Sequence, residues 1–133
     1  MQRSYDIEKT LATIYEAVSN GDATTLTGLL TARDGLLFIG TDPGEWYDDA
    51  VAVQGMLIAQ AGAGVTVRGG DGIGFEEGTV GWIADRGVFV LPDGSEAPFR
   101  ITAVFHRESG GWRLVQEHAS VAMSNEEVIG TSL

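Results

Sequence analysis

The spacing of apolar residues predicts that the chain begins with a helix over residues 4–20. Apolar side chains recur there every three or four positions, which places them on one helix face. Ser4 is a suitable N-cap, and Asn20 followed by Gly21 is typical of a helix end. The apolar residues of this face are Ile7, Leu11, Ile14, Tyr15 and Val18.

The next apolar groups predict a second helix, a short strand and a longer helix. Asp22 is placed to cap the second helix. The apolar residues of that helix are Leu26, Leu29 and Leu30. The run 36–39 is short and wholly apolar, which indicates a strand. The longer helix is expected over residues 49–61, because Gly62 interrupts the pattern.

The segment Asp42-Pro43-Gly44-Glu45 has the order of a capping box. It supplies an N-cap, a proline at the first helical position and a glutamate at the third. The pattern predicts a short helix that starts at the rim of the fold, with Trp46 and Tyr47 facing a cavity. Asp42 has two interpretations that the sequence leaves open, as the N-cap or as a carboxylate near the cavity mouth.

The second half of the chain predicts strands joined by tight turns. Residues 65–77 form a strand interrupted by glycines, which indicates a bulge or sharp bend. Asp71 in this bend is either a turn residue or an inward-facing acid. Turns at Gly78, at 92–95 and at 109–110 then separate three longer strands. Three helices followed by a strongly bent antiparallel meander predict an α+β fold with the helices on one face of the sheet.

Two assumed turns give a register for the last three strands. We expect Glu108 to pair with Gly111, and Leu91 to pair with Glu96. The pairs that follow are Phe105–Leu114, Ala103–Gln116, Ile101–His118, Trp82–Phe105, Ala84–Ala103 and Arg86–Ile101. The face toward the helices then carries Val80, Trp82, Ala84, Arg86, Val88, Phe99, Ile101, Ala103, Phe105, Trp112, Leu114, Gln116, His118 and Ser120. The opposite face carries Asp85, Arg100, Thr102, His106, Arg113 and Glu117.

This register predicts a pocket above the covered face, because small side chains at Ala84 and Ala103 leave room there. His118 is the expected catalytic residue, since an unperturbed imidazole titrates near neutrality. It is alternatively a core histidine or a ligand contact without chemistry. Arg86, about 9.5 Å away across two strand spacings, is expected to bind an anionic group or to pair with a helix acid. The residues expected to contact a ligand are Trp46, Tyr47, Trp82, Ala84, Arg86, Ala103, Phe105, Gln116 and His118.

The composition and net charge disfavour several classes of binding partner. The 133-residue chain, expected to form one domain over 1–133, carries a net charge of −11, which disfavours nucleic acid and anionic lipid as partners. It has no cysteine, no apolar run long enough for a membrane span and no signal core, so a cytoplasmic location is expected. We expect no metal site and no cofactor, since ligand clusters and phosphate-binding loops are absent from the sequence.

Three segments resemble a known family. They are "IGTDPGEWYDD", "GTVGWIAD" and "RITAVFHRESGGWRLVQEHAS". Over nearly its whole length the chain resembles the nuclear transport factor 2-like superfamily, in its SnoaL-like branch. The resemblance implies a cone, in which three N-terminal helices pack on a strongly curved mixed sheet around a pocket, and a homodimer formed through the sheet. Members include polyketide cyclases, ketosteroid isomerase, dehydratases and epoxide hydrolases, as well as domains that only bind.

Three functions are consistent with these patterns. Enzymes of the superfamily commonly use a buried aspartate or histidine as base, whereas the predicted covered face has no carboxylate on the last three strands. This favours a pocket that binds an apolar or weakly acidic ligand without chemistry. The alternatives are a cofactor-free isomerase, dehydratase or cyclase that uses His118, and a dimerisation or interaction module. A buried carboxylate within hydrogen-bond reach of His118 would favour the enzyme.

Overall fold

Helices cover one face of a curved, mixed sheet in the computed structural model, which describes residues 1–131. The elements in chain order are β1 Gln2–Arg3, α1 Tyr5–Ser19, α2 Ala23–Gly28, β2 Leu37–Ile39, β3 Trp46–Tyr47, α3 Ala50–Ala61, β4 Thr66–Arg68, β5 Ile73–Glu77, β6 Val80–Val90, β7 Glu96–Glu108, β8 Gly111–Val121 and α4 Asn125–Ile129. The strand order is β1-β5-β6-β7-β8-β2-β3, and β4 also pairs with β6. The predicted α+β fold is confirmed.

The helices begin where the sequence predicts. The Ser4 hydroxyl accepts a hydrogen bond from the Ile7 N–H at 3.2 Å and starts α1. Asp22 and Asp49 cap α2 and α3 in the same way. The apolar face of α1 packs on the sheet, and Ile7 is fully buried. No helix within residues 1–131 is long and apolar enough to cross a membrane.

The prediction of a short helix starting at residues 42–45 is wrong, because this segment forms the turn of the β2–β3 hairpin. Strands β2 and β3 pair antiparallel, with Phe38 opposite Tyr47. The Asp42 N–H donates to Glu45 Oε1 at 2.9 Å, and the Gly44 N–H donates to Asp42 Oδ2 at 3.2 Å. The side-chain bonds of a capping box therefore close a turn instead. The aromatic pair that follows the turn favours a strand, and its pairing with β2 satisfies the backbone.

The sheet is antiparallel except where β2 runs parallel to β8. The glycine-rich segment is split into β4 and β5, both of which pair with β6, as the predicted interruption requires. The predicted pairs Glu108–Gly111 and Phe105–Leu114 are present. His106 lies opposite Arg113 in the ladder. The hydrogen-bond partner of the His106 ring is however Glu108, whose Oε2 lies 3.1 Å from His106 Nδ1.

The predicted register of β8 is wrong beyond Leu114 because of a β-bulge. Val104 pairs with Gln116 while Phe105 pairs with Leu114, which leaves Val115 as an extra residue on β8. The bulge shifts all later pairs by one position. Glu117 is therefore opposite Ala103 in place of Gln116, and Ala119 is opposite Ile101 in place of His118.

The predicted register of β6 is also wrong by one residue. The loop at 92–95 pairs Val90 with Glu96 and holds Leu91 outside the ladder, where its N–H donates to the Ser95 carbonyl at 2.9 Å. The actual pairs are Trp82–Val104, Ile83–Ala103, Ala84–Thr102, Asp85–Ile101 and Arg86–Arg100.

Both shifts exchange the faces of β6 and β8, because successive side chains of a strand point to opposite sides. Asp85 and Glu117, expected on the outer face, lie buried on the inner face. The β7 face was predicted correctly, since Phe99, Ile101, Ala103 and Phe105 are all buried. The residues moved to the outer face are Val80, Trp82, Ala84, Arg86, Val88, Gln116, His118 and Ser120.

Candidate functional site

A cavity of about 440 Å³ lies between the inner face of the sheet, helices α1 and α3, and the β2–β3 hairpin. We call it the inner cavity. Its walls are mainly aliphatic and aromatic, which is typical of a small-molecule site. Its lining residues are Ile14, Tyr15, Val18, Phe38, Gly40, Thr41, Glu45, Tyr47, Met56, Leu57, Ala59, Gln60, Val67, Phe89, Phe99, Ile101, Glu117 and Ala119.

Glu117 places a carboxyl group on the sheet wall of the inner cavity. The bulge at Val115 turns Glu117 inward, and its side chain is only 6% exposed. Burial disfavours the charged form and raises the pKa of Glu117 to about 8. Of the cavity-lining residues in the part of the chain described, none is basic. The group therefore retains its proton at neutral pH and can both donate and accept a hydrogen bond.

Asp85 and Tyr15 form a second polar pair beside the cavity. The Tyr15 hydroxyl donates to Asp85 Oδ2 at 2.7 Å, and the Gly70 N–H donates to the same oxygen at 3.1 Å. Asp85 is 7% exposed, and its Oδ1 has no hydrogen-bond partner within residues 1–131. The pKa of Tyr15 is raised, mainly by burial. The hydrogen bond to Asp85 and the negative charges of Asp85 and Glu117 contribute less. Because the Tyr15 hydroxyl donates its hydrogen bond to Asp85, the Tyr15 oxygen remains available to accept a hydrogen bond from a ligand.

The glycine-rich segment before β5 is shaped to cover Asp85. A Cβ atom on Gly70 would collide with the Arg86 carbonyl oxygen and lie 2.7 Å from Asp85 Oδ1. A Cβ atom on Gly72 would lie 2.9 Å from the Ala84 carbonyl oxygen. Only glycine allows this close approach of backbone to carboxylate. The glycines that predicted a bend therefore also bury the carboxylate.

Aromatic rings form the apolar end of the inner cavity. Phe89 stacks on Phe99 with ring centroids 4.2 Å apart, and Tyr15 meets Phe99 edge-on at 6.1 Å. Such geometries add to the stabilisation from area burial alone. The rings of Tyr15 and Phe89 thus both pack against Phe99 at this end of the cavity.

Three of the residues predicted to contact a ligand lie on the inner side of the fold. Tyr47 lines the inner cavity. Ala103 and Phe105 are buried in the core of the same sheet face, away from the cavity lining. Trp46, next to Tyr47, points outward and is 61% exposed. Asp42 caps its own turn and does not line the cavity, although its neighbour Thr41 does.

The other predicted residues lie on the outer face of the sheet. Trp82 stacks on Phe75 with centroids 6.3 Å apart, and Gln116 is exposed. Ala84, Arg86 and His118 meet in an open groove of about 920 Å³, which we call the outer groove. Arg86 and His118 thus line one groove from different rows of the sheet, on its outer side and not on the side toward the helices. The outer groove is lined by Gly70, Asp71, Gly72, Ile73, Ala84, Asp85, Arg86, Arg100, Ile101, Thr102, His118 and Ser120.

Sequence reasoning missed the two inward carboxylates and the polar role of Tyr15. One signal was present in β8, where Leu114 and Val115 are consecutive apolar residues in an otherwise alternating strand. Two adjacent apolar residues are typical of a point where the alternation changes phase. A bulge placed there would have turned Glu117 inward. The residues that the structure describes contain no cluster of three or more His, Cys, Asp or Glu side chains able to hold a metal ion.

Comparison with known proteins identifies the fold. A family model described as the SnoaL-like domain matches residues 7–124. No curated protein matches the chain. A nuclear transport factor 2-like protein of unknown function from Pseudomonas putida has a TM-score of 0.78 at 14% identity, with 96% of this chain and 90% of that chain covered.

Two further solved structures carry names that refer to enzymes. A candidate dehydratase of the nuclear transport factor 2-like family from Streptomyces avermitilis has a TM-score of 0.78 at 19% identity, covering 90% of this chain and 95% of that one. A candidate ketosteroid isomerase from Shewanella frigidimarina has a TM-score of 0.72 at 11% identity, covering 88% and 96%. At such identities the likeness shows the fold and not a shared activity.

Proposed function

Since the chain belongs to the SnoaL-like domain family, we propose that it binds a small, largely apolar molecule in the inner cavity and transfers a proton on it through Glu117. The observation that supports this most directly is a carboxyl group, with its pKa raised to about 8, inside an apolar cavity. A general acid or base works best when its pKa lies near the working pH. Glu117 takes the role that the sequence suggested for His118, which lies on the outer face.

The lining of the inner cavity favours an uncharged ligand. An ionised ligand would enter an apolar space whose described lining offers no basic side chain, and this costs several kcal/mol of desolvation. A weakly acidic ligand would therefore bind in its neutral form. The aromatic wall around Phe99 contacts the apolar part. Glu117 contacts an oxygen function such as a carbonyl or hydroxyl, and the Tyr15 oxygen accepts a hydrogen bond from a ligand hydroxyl.

The proton transfer follows from the states of these two groups. Protonated Glu117 donates to a ligand oxygen and, as a carboxylate, removes a proton from a neighbouring position. Tyr15, fixed by its 2.7 Å bond to Asp85, offers an acceptor that orients the ligand. Dehydration and isomerisation, the reactions in the names of the two similar structures, both need a positioned group that gives and takes protons. Binding without chemistry is the second candidate, because the same cavity and aromatic wall suffice for it.

The test is a thermal-shift screen of neutral aromatic and alicyclic ketones and alcohols, followed by hydrogen exchange in D₂O. A ligand at a hundred times its dissociation constant should stabilise the fold by about 2.7 kcal/mol. Exchange of the ligand's acidic C–H positions is then measured by mass spectrometry for wild type, Glu117→Gln and Glu126→Gln. Glu126 is an exposed acid on α4 and serves as the control.

The results of these two experiments distinguish proton transfer by Glu117 from binding without chemistry. Loss of exchange in Glu117→Gln with binding retained supports proton transfer. Equal exchange in all three proteins refutes the role of Glu117, and no exchange in wild type leaves binding as the function. If no compound of the screen raises the melting temperature, the inner cavity is not a site for such ligands.

We also propose that the chain forms a homodimer through the outer face of the sheet, at the end of β5 and the start of β6, beside the outer groove. Apolar side chains are exposed there at Phe75 and Val80, beside the stacked Trp82. Contiguous exposed apolar surface of this kind marks an interaction site. Light scattering after size-exclusion chromatography should give a dimer for wild type and a monomer for Val80→Lys. A monomeric wild type at micromolar concentration would contradict the proposal.

A cytoplasmic location stays a prediction from the sequence.

A further inference from the structure

Two arginines face each other on the outer side of the sheet without a counter-charge. Arg86 on β6 and Arg100 on β7 are directly opposite partners, and both are exposed. Within residues 1–131 no carboxylate lies within 4.0 Å of either guanidinium, whereas Arg3, Arg68 and Arg107 each have an acidic partner. Like charges directly opposite on neighbouring strands are destabilising. This arrangement is unexpected in a chain with 19 acids and eight bases.

Further donors surround the arginine pair. Ser120 on β8 lies opposite Arg100, so Arg86, Arg100 and Ser120 form one row across three strands. The next row carries Thr102 opposite His118. All five residues line the outer groove. Together they provide two guanidinium groups, two hydroxyl groups and an imidazole on one concave surface.

Neither of the two acids that line the groove, Asp71 and Asp85, forms an ion pair with Arg86 or Arg100. Asp71 lies on the lining, but not within 4.0 Å of a guanidinium. Asp85 also borders the groove, but its Oδ2 accepts hydrogen bonds from Tyr15 and Gly70 on the inner side. A negatively charged group in the groove would thus meet donors from three strands.

We propose that the outer groove binds a small oxyanion with two negative charges, held between Arg86 and Arg100. Guanidinium groups match the geometry of carboxylate and phosphate oxygens and bind them in a bidentate manner. Two of them balance two negative charges, and the Ser120 hydroxyl donates to a third oxygen. The rest of the ligand extends along the groove toward Thr102 and His118. This site is separate from the inner cavity, since the sheet lies between them.

A phosphate monoester and a small dicarboxylate share this chemistry, and the experiment distinguishes them. Isothermal titration at low ionic strength uses inorganic phosphate in one arm and malonate in the other. The proteins are wild type, Arg86→Gln, Arg100→Gln and Ser120→Ala. The matched control is Arg68→Gln, an exposed arginine that already pairs with Glu96 at 2.6 Å. Glu117→Gln is included to separate this site from the inner cavity.

We expect saturable 1:1 binding to wild type, Arg68→Gln and Glu117→Gln, with affinity reduced about tenfold or more by either substitution in the arginine pair. Ser120→Ala should weaken binding a few-fold. The preferred arm identifies the anion. Without any anion, Arg100→Gln should have a melting temperature equal to or above that of wild type, because the repulsion is removed.

Three results would overturn the proposal. The first is no saturable binding in either arm. The second is an affinity that the arginine variants share with wild type. The third is dissociation of a wild-type dimer by Arg86→Gln or Arg100→Gln together with no anion binding, which would show that acids of a second copy neutralise the pair.

Discussion

Replacing Glu117 by glutamine should remove a pH dependence of folding stability that the wild-type chain carries. The pKa of Glu117 is about 8 in the folded protein, against 4.5 for the ordinary group. Below pH 4.5 the residue is protonated in both states and has no effect. As the pH rises toward 8, the unfolded chain loses this proton while the folded chain keeps it. The free energy of unfolding therefore falls through this window because of Glu117.

The size of the effect follows from the two pKa values. Each unit of pKa difference corresponds to about 1.4 kcal/mol. Glu117 should therefore lower the free energy of unfolding by about 3 kcal/mol between pH 5 and pH 8, a large part of a typical total of roughly 5–15 kcal/mol. Glutamine has similar shape and no titration, so the Glu117→Gln variant should gain stability relative to wild type over the same window.

Urea denaturation at pH 5, 6, 7 and 8 measures this difference. The quantity to plot is the free energy of unfolding of Glu117→Gln minus that of wild type, since all other titrating groups cancel. It should rise by about 3 kcal/mol from pH 5 to pH 8, while the same difference for Glu126→Gln stays flat. A flat line for Glu117→Gln would show that the carboxyl is ionised in the folded protein, and the proton-transfer proposal would lose its basis.

Three further substitutions and one control substitution test the surroundings of the site and the cap of α1 by urea denaturation at constant pH. Gly70→Ala should destabilise the fold by about 2 kcal/mol or more, because the added Cβ collides with backbone. The control Gly55→Ala, which has open space around it in α3, should stabilise the fold by about 0.5–1 kcal/mol. Equal effects would contradict the close packing over Asp85. Tyr15→Phe should destabilise by about 1–3 kcal/mol, because Asp85 loses a buried donor, and no loss would show that the bond is dispensable. Ser4→Ala should cost about 1 kcal/mol through loss of the α1 cap, and a neutral result would refute that role.

The sequence predicted the elements well because their signals are local. Apolar spacing and the caps at Ser4, Asp22 and Asp49 depend on residues within one turn of a helix. The segment at Asp42 failed because the same short-range hydrogen bonds serve a helix start and a tight turn. What decides between them is the pairing of β3 with β2, a contact that the local sequence does not contain.

The site could not be predicted, because each face assignment depended on a single position. The loop between β6 and β7 has four residues if Leu91 pairs with Glu96 and five if Val90 does, and the two choices exchange Asp85 with Arg86 between the faces of the sheet. The extra residue at Val115 exchanges Glu117 with His118 in the same way. In both cases the predicted face was wrong.

These two shifts of register have a joint consequence for the chemistry of the sheet. They place the carboxyl groups of Asp85 and Glu117 on the inner face and the side chains of Arg86 and His118 on the outer face. With the unshifted register, a guanidinium and an imidazole would lie inside. If only the β8 shift were present, Arg86 would lie inside together with Glu117 and would lower its pKa, because an opposite charge within about 4–6 Å favours the ionised form. The bulge at Val115 and the pairing of Val90 with Glu96 therefore keep positive charge out of the inner cavity. That exclusion lets Glu117 hold its proton near neutral pH. The same alternation leaves the arginine pair on the outer face without a counter-charge from residues 1–131.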